Sequence, residues 1–249
     1  MDNCNVDAAV LHATMPFTNF NARMAIEYPG RFIPLAKIVE TDYATSQGID
    51  QLYRAVKELG VKGIYHGPFT ACDSFWNFES DKYKPFWKEM AKLDIPVWCL
   101  SSCDIPHYPY ILEKIRKWVY DVPELTRVMV HGFPPDVYID YGKKDRVVIP
   151  QIIKEIVNQD NFHMEFLPYA MGYYLHEKTD DMVHALYDEF GGSKFCWGSE
   201  FIKTAPPHTS ENYSRMMGYF DDVCTYMSKS DIKLILGDNL KRIFRLGRT

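Results

Sequence analysis

Residues 48–66 read GIDQLYRAVKELGVKGIYH, a helix pattern followed at once by a strand pattern. The apolar side chains over Gly48–Leu59 fall at positions i, i+3, i+4, i+7 and i+10, which gives an amphipathic helix one core-facing stripe. Gly60 is typical of a left-handed helix end, and the apolar run Gly63–His66 is typical of a short strand. The stretch therefore predicts a helix that packs on a sheet and leads into a strand of that sheet.

The same alternation continues along most of the 249 residues, and it is typical of β-α units in a parallel sheet. No repeat or flexible linker divides the chain, so we predict one α/β domain over residues 1–249. The length favours a (β/α)8 TIM-like barrel, with a doubly wound open sheet as the alternative. Phosphate-loop and dinucleotide fingerprints are absent, which favours the barrel. The seven recognisable strands, one fewer than a complete barrel has, are Ala8–Ala13, Phe32–Val39, Gly63–His66, Ile95–Ser101, Arg127–His131, Asn161–Leu167 and Lys194–Gly198.

Helices are predicted between these strands and after the last one. Glycines and capping residues mark several of their ends. The predicted helices are Asn19–Tyr28, Gly48–Leu59, Lys82–Leu93, Tyr110–Tyr120, Pro150–Asn158, Asp180–Phe190, Glu211–Met227 and Lys229–Phe244.

Composition excludes several classes of protein. The formal net charge is -5 and no basic run of five residues occurs, so we expect no nucleic-acid partner. Every apolar stretch is interrupted far below the roughly 18 residues that a membrane span needs. The first residues lack a positively charged segment and an apolar signal core, which predicts a cytoplasmic protein. The six cysteines are scattered and predicted to be free thiols, although the close pair Cys99 and Cys103 leaves a metal or redox site as an alternative.

Histidines mark the candidate site, because barrel active sites lie at the carboxyl ends of strands. Four of the eight histidines stand in or at the end of a predicted strand: His12, His66, His131 and His163. One such histidine is usually a hydrogen-bonded core group, but four together favour a functional site. In the run His163-Met164-Glu165, the strand period of two places the histidine and the carboxylate on one face, which we predict to be the barrel interior.

Glu200 is a second kind of candidate, because a glycine two residues earlier lets the chain turn at the end of an apolar strand. Its carboxylate could bind a metal or act as an acid or base. Ser199 is the alternative nucleophile, but it lacks the Gly-x-Ser-x-Gly surroundings of a serine hydrolase. Tyr138 and Tyr169 follow two strands and could line an aromatic pocket or merely cover the barrel mouth.

Five segments together resemble the amidohydrolase-related family that includes aminocarboxymuconate-semialdehyde decarboxylase and the aromatic-acid decarboxylases. The resemblance extends over nearly the whole chain, and the order and spacing of the segments make it specific. They are Tyr28–Phe32, Leu59–Ile64, Val128–Gly132, Phe195–Glu200 and Leu234–Phe244.

The resemblance implies a barrel with one divalent metal, acting on carboxylated aromatics, lactones or amides. It places Glu200 where the family has a metal-binding Asp, and His131 where the family has a histidine that helps catalysis. The family's first strand, with its His-x-His ligands, has no counterpart in this chain, and Leu100 stands where another ligand histidine would follow. Either a rearranged site binds the metal, or the protein works without one, or the true start lies upstream. The rearranged site would use His12, His66, His163, Glu165 and Glu200.

The resulting hypothesis is a decarboxylase or hydrolase acting on a small aromatic or cyclic carboxylated substrate, with zinc or manganese as the metal or with none. The alternative is a metal-free relative that binds a ligand or regulates a partner. An incomplete barrel would expose two strand edges, which predicts a homo-oligomer. The predicted roles are catalysis for His131, Glu200 and His163, substrate binding for His12, Tyr138 and Tyr169, and metal binding for His66, Glu165 and Glu200.

Overall fold

The computed structural model describes residues 1, 5–12, 17–67, 77–100, 108–140, 142, 146–166, 178–199 and 218–246. The chain divides into two compact units. The first unit comprises residues 1–102 and 110–128, and the second comprises residues 103–109 and 129–249. The prediction of one domain over residues 1–249 stays a prediction.

Strands and helices alternate as the sequence pattern predicts, and all seven predicted strands are present. The strands are β1 Ala9–Leu11, β2 Phe32–Ala36, β3 Gly63–His66, β4 Val97–Leu100, β5 Arg127–Val130, β6 Ile139–Asp140, β7 Arg146–Val147, β8 Phe162–Phe166 and β9 Phe195–Trp197. The helices are α1 Thr18–Glu27, α2 Ser46–Lys57, α3 Lys84–Lys92, α4 Tyr108–Asp121, α5 Gln151–Val157, α6 Thr179–Phe190, α7 Lys229–Lys233 and α8 Asn239–Ile243.

Seven strands are hydrogen-bonded in the order β1-β2-β3-β4-β5-β8-β9, while β6 and β7 form a separate antiparallel pair. The pairs β1 with β2, β2 with β3, β3 with β4, and β8 with β9 are all parallel. All four residues of β3 and of β5 are buried. Such continuous burial is expected for parallel strands that are covered on both faces.

The helix α2 shows how the local sequence sets its bounds. The Thr45 hydroxyl accepts a hydrogen bond from the Gly48 amide at 3.2 Å, which satisfies one of the free donors of the first turn. A Cβ atom at Gly48 would lie 2.2 Å from the Asp42 carbonyl oxygen, so only glycine fits there. At the other end, Gly60 has a φ of 67°, and the Val61 amide donates to the Ala55 carbonyl at 3.1 Å.

Most predicted strands and helices differ from the structure by a few residues at one end or both, and two of the differences have identifiable reasons. The strand expected over Arg127–His131 ends at Val130, because His131 has a φ of 64° and leaves the extended conformation. The helix expected over Lys229–Phe244 is interrupted by a π-helical segment, Leu234–Asp238, between α7 and α8. The predicted helix Glu211–Met227 lies in part outside the described residues.

The surface around α1 is unusually apolar. Four large side chains on or beside this helix are between 46% and 74% exposed: Phe17, Phe20, Ile26 and Tyr28. The strands β1 and β9 stand at the two ends of the hydrogen-bonded order. In the part of the chain that the structure describes, no helix is long and apolar enough to cross a membrane.

Candidate functional site

The first unit places a buried ion pair directly after β2. The Lys37 ammonium bonds to the Glu40 carboxylate, and the two side chains are only 4% and 1% exposed. The Lys37 nitrogen also lies 5.6 Å from the centroid of the Tyr65 ring, within the range of a cation–π interaction. Each of these two buried charges depends on the other, because either charge alone would be costly to remove from water.

His66, the last residue of β3, lies beside this pair. Its Nδ1 atom is 3.4 Å from the Tyr43 hydroxyl, and its side chain is buried against the rings of Phe78 and Trp87. Burial, and secondly the charge of Lys37, lower the pKa of His66 to about 3. The imidazole is therefore neutral at ordinary pH.

His12 follows β1 and is exposed, with its ring stacked 5.2 Å from the ring of Tyr65. The position of this strand end is fixed by Asn21 of α1, whose side chain is 4% exposed. The Asn21 amide group lies 3.1 Å from each of the carbonyl oxygens of Leu11, His12 and Leu35. One side chain thus ties the carboxyl ends of β1 and β2 to α1.

The second unit holds a separate group around His131. His131 and Gly132, which follow β5, both have a φ of 64°. The left-handed conformation costs about 1–2 kcal/mol for a residue with a Cβ atom, so His131 must be held in it by its surroundings. The His131 amide donates to Glu165 Oε2 at 3.2 Å, and the Gly132 amide donates to the Met129 carbonyl at 3.2 Å.

Glu165 is half-buried on β8 and stands opposite Cys196 in the register with β9. Burial, and secondly the charge of Glu165, raise the pKa of the Cys196 thiol. The thiol therefore stays protonated, which leaves it unsuited to act as a nucleophile or a metal ligand.

His163 lies two residues before Glu165 on β8 but has different surroundings. It is 5% exposed and hydrogen-bonds with the backbone of Ser193, which precedes β9. Burial, then the charges of Lys194 and Arg242, lower its pKa to about 4. The imidazole is therefore neutral and lies toward the amino end of β9.

The remaining predicted site residues are placed as follows. Tyr138 is buried at the end of a 3-10 turn, Pro135–Tyr138, in the second unit. Glu200 and Tyr169 lie outside the described residues, as does Cys103. The roles predicted for these residues stay predictions.

The described residues do not provide the ligand set of a metal. Among them, no three His, Cys, Asp or Glu side chains lie close enough together to hold an ion. The Lys37 ammonium beside His66 would repel a divalent cation. These residues therefore do not fit the metal site that the family resemblance implies.

Sequence reasoning missed Lys37, Glu40 and Tyr43. A usable signal was present, because Lys37 interrupts the apolar run Phe32–Val39 and Glu40 follows it three residues later. A charge within an apolar strand segment indicates a buried partner, since an unpaired buried charge is rarely tolerated.

Several solved structures resemble the chain. A 2,6-dihydroxybenzoate decarboxylase from Rhizobium is 17% identical, with a TM-score of 0.68 over 99% of this chain and 86% of that one. A dihydroxybenzoic acid decarboxylase from a Polaromonas species, solved with manganese and the inhibitor 2-nitroresorcinol, is 16% identical, with a TM-score of 0.66 over 100% and 85%. A TIM-barrel protein from Bordetella bronchiseptica is 17% identical, with a TM-score of 0.70 over 98% and 80%.

At these identities the likeness shows the fold, and it confirms the predicted α/β TIM-barrel class. None of the curated protein sequences matches the chain. The family model described as Amidohydrolase matches residues 6–246, which is nearly the whole chain. This match confirms the predicted family: the chain belongs to the amidohydrolase family.

Proposed function

We propose that the protein is a decarboxylase or hydrolase that acts on a small aromatic or cyclic substrate bearing a carboxylate. The observation that best supports this is the backbone of His131, which is held in a strained conformation at the carboxyl end of β5. Active sites of this fold lie at such strand ends, and strained residues cluster there. The related structures include decarboxylases of dihydroxybenzoates, which agrees with the proposed substrate class.

In a decarboxylation, the bond between the ring carbon and the carboxylate carbon breaks, carbon dioxide leaves, and the ring carbon takes up a proton. We assign His131 to polarising the substrate or moving this proton, and Glu200 to donating it. In a hydrolysis, His131 would instead take a proton from the attacking water. His12, Tyr138 and Tyr169 are assigned to substrate binding, with His66, His163 and Glu165 in supporting roles.

A divalent metal, zinc or manganese, remains part of the proposal, with Glu200 as its best remaining ligand. A bound ion would supply a positive charge that stabilises a developing carboxylate or phenolate anion. The described residues do not provide a set of ligands for this ion, and the roles proposed for His131 and Glu200 do not require it. Elemental analysis of the purified protein distinguishes about one equivalent of metal from none.

A test begins with turnover of a panel of hydroxybenzoates and small cyclic esters. With a substrate identified, His131→Ala and Glu200→Gln should each lower kcat by about two to four orders of magnitude, as expected for a positioned acid or base. The melting temperature should stay nearly unchanged, and His184→Gln, at an exposed helical histidine, should behave as wild type in both assays. Intact turnover with reduced stability would assign His131 and Glu200 to the fold.

The second candidate function is a metal-free barrel that binds a ligand or regulates a partner without chemistry. The Lys37 and Glu40 pair favours it, because the Lys37 ammonium at this strand end of the first unit opposes the binding of a cation beside His66. Ligand binding without turnover across the substrate panel would support this alternative.

A further inference from the structure

We propose that Glu165 is a positioning residue that holds the backbone of His131, rather than a metal ligand. The proposal rests on the proposed function only in assigning His131 to catalysis. It begins from an unusual feature, namely two successive residues in the left-handed conformation, one of which is not glycine. Histidine tolerates this conformation better than most residues, but it needs a contact that favours it.

Glu165 supplies that contact from the neighbouring strand. Its Oε2 atom accepts the His131 amide hydrogen at 3.2 Å, and β8 lies next to β5 in the sheet. The turn is closed on its other side by the Gly132 amide, which donates to Met129 within β5. A bond to a charged acceptor is stronger than one to a neutral acceptor, so the carboxylate suits this role.

The surroundings of Glu165 fix its own position. Its backbone lies in register with Cys196 on β9, and its neighbours Met164 and Phe166 are buried at 1% and 5% exposure. The carboxylate thus extends from a packed strand instead of a loop. A residue on a rigid strand can determine where the next strand's last residue places its side chain.

The two roles make opposite predictions for glutamine. The amide oxygen of glutamine can still accept the His131 amide hydrogen, whereas glutamine is a poor substitute for a charged metal ligand. Glu165→Gln should therefore retain the backbone contact, and Glu165→Ala should lose it. Glu113→Ala, at an exposed carboxylate of α4, is the matched control.

The experiment measures hydrogen exchange at the His131 amide together with kcat, KM and metal content. In Glu165→Ala, exchange at this amide should be faster by about tenfold, the equivalent of one lost hydrogen bond. Its kcat should fall by roughly ten- to a hundredfold with KM little changed, as expected for a displaced catalytic group. Glu165→Gln should restore the slow exchange and most of the lost kcat, and the control should match wild type.

Two results would overturn the proposal. One is unchanged exchange at His131 in Glu165→Ala; the other is Glu165→Gln behaving like Glu165→Ala while both lose a bound metal. The exchange measurement needs no substrate, so it decides the role of Glu165 even if the proposed function fails. Wild-type turnover in His131→Ala would instead refute the catalytic assignment of His131.

Discussion

Replacing Lys37 with methionine would leave the Glu40 carboxylate without its ammonium in a nearly water-free environment. The two side chains are 4% and 1% exposed. Removal of one partner from a buried pair costs about 3–5 kcal/mol, because the remaining charge is uncompensated. In a chain of this size that corresponds to a fall of roughly 6–20 °C in the melting temperature.

Urea denaturation at pH 7 measures this loss, and two further variants identify its cause. Lys117→Met removes an exposed ammonium that pairs with Asp121, and it should change the free energy of unfolding by less than about 1 kcal/mol. The double variant Lys37→Met/Glu40→Leu removes both buried charges and should recover most of the stability lost in Lys37→Met.

The same substitution affects His66. Lys37 is the second cause of its lowered pKa, after burial. Lys37→Met should therefore raise the pKa of His66 from about 3, while burial keeps it below 6.5. Titration of the imidazole by NMR checks this shift. Lys37 would not have the assigned role if Lys37→Met cost no more stability than Lys117→Met and left the pKa of His66 unchanged.

Three other predictions concern acid, packing and assembly. The pKa values of His66 and His163 in the folded protein, about 3 and about 4, lie below the value of 6.5 in an unfolded chain. At a pH below 6.5 and above these folded values, the unfolded chain therefore binds more protons than the folded protein. Stability should then fall by about 1.4 kcal/mol per pH unit for each histidine below pH 6.5, measured by urea denaturation from pH 7 to 5. Gly48→Ala should lower the free energy of unfolding by roughly 1–3 kcal/mol, because its Cβ atom would meet the Asp42 carbonyl oxygen 2.2 Å away, and the same denaturation assay measures it. The protein should form a dimer or larger homo-oligomer in light scattering, since two strands end the sheet order and the surface around α1 is apolar; Phe20→Glu should weaken that assembly.

Controls exist for each of these. His66→Gln should remove the part of the acid dependence that comes from this buried histidine. Gly237→Ala should not destabilise the protein, since nothing lies within 4 Å of its added Cβ atom. A monomer of 29.0 kDa at all concentrations would contradict the assembly prediction.

The fold could be predicted because it depends on periodicity, which a single sequence displays. The run Gly63–His66 was bounded correctly to the residue, since burial on both faces gives an uninterrupted apolar stretch. The end of β5 was placed one residue too late, because the apolar pattern does not show the left-handed backbone of His131.

The candidate site could be predicted only in part. The strand-end histidines were found from their place in the pattern. The contacts of Lys37 with Glu40 and of Tyr43 with His66 were not, because a 3-10 turn, Glu40–Asp42, brings these residues together after β2. The different surroundings of His163 and Glu165 could not be predicted either. A pattern of period two shows which face of the strand a residue lies on, but not how far along the strand it lies from the site.

Asn21 makes the carboxyl ends of β1 and β2 sensitive to the identity of a single atom. Its side-chain nitrogen faces three carbonyl oxygens, and the side chain is almost fully enclosed. Hydrolysis of this amide to aspartate would keep the shape and replace the donor with a negatively charged acceptor, so that attraction at all three oxygens would become repulsion. Deamidation at this one residue would therefore remove the contacts that tie the strand ends carrying His12 and Lys37 to α1. A change at one buried helix residue would thus disturb the candidate site in the first unit without altering any residue assigned to that site.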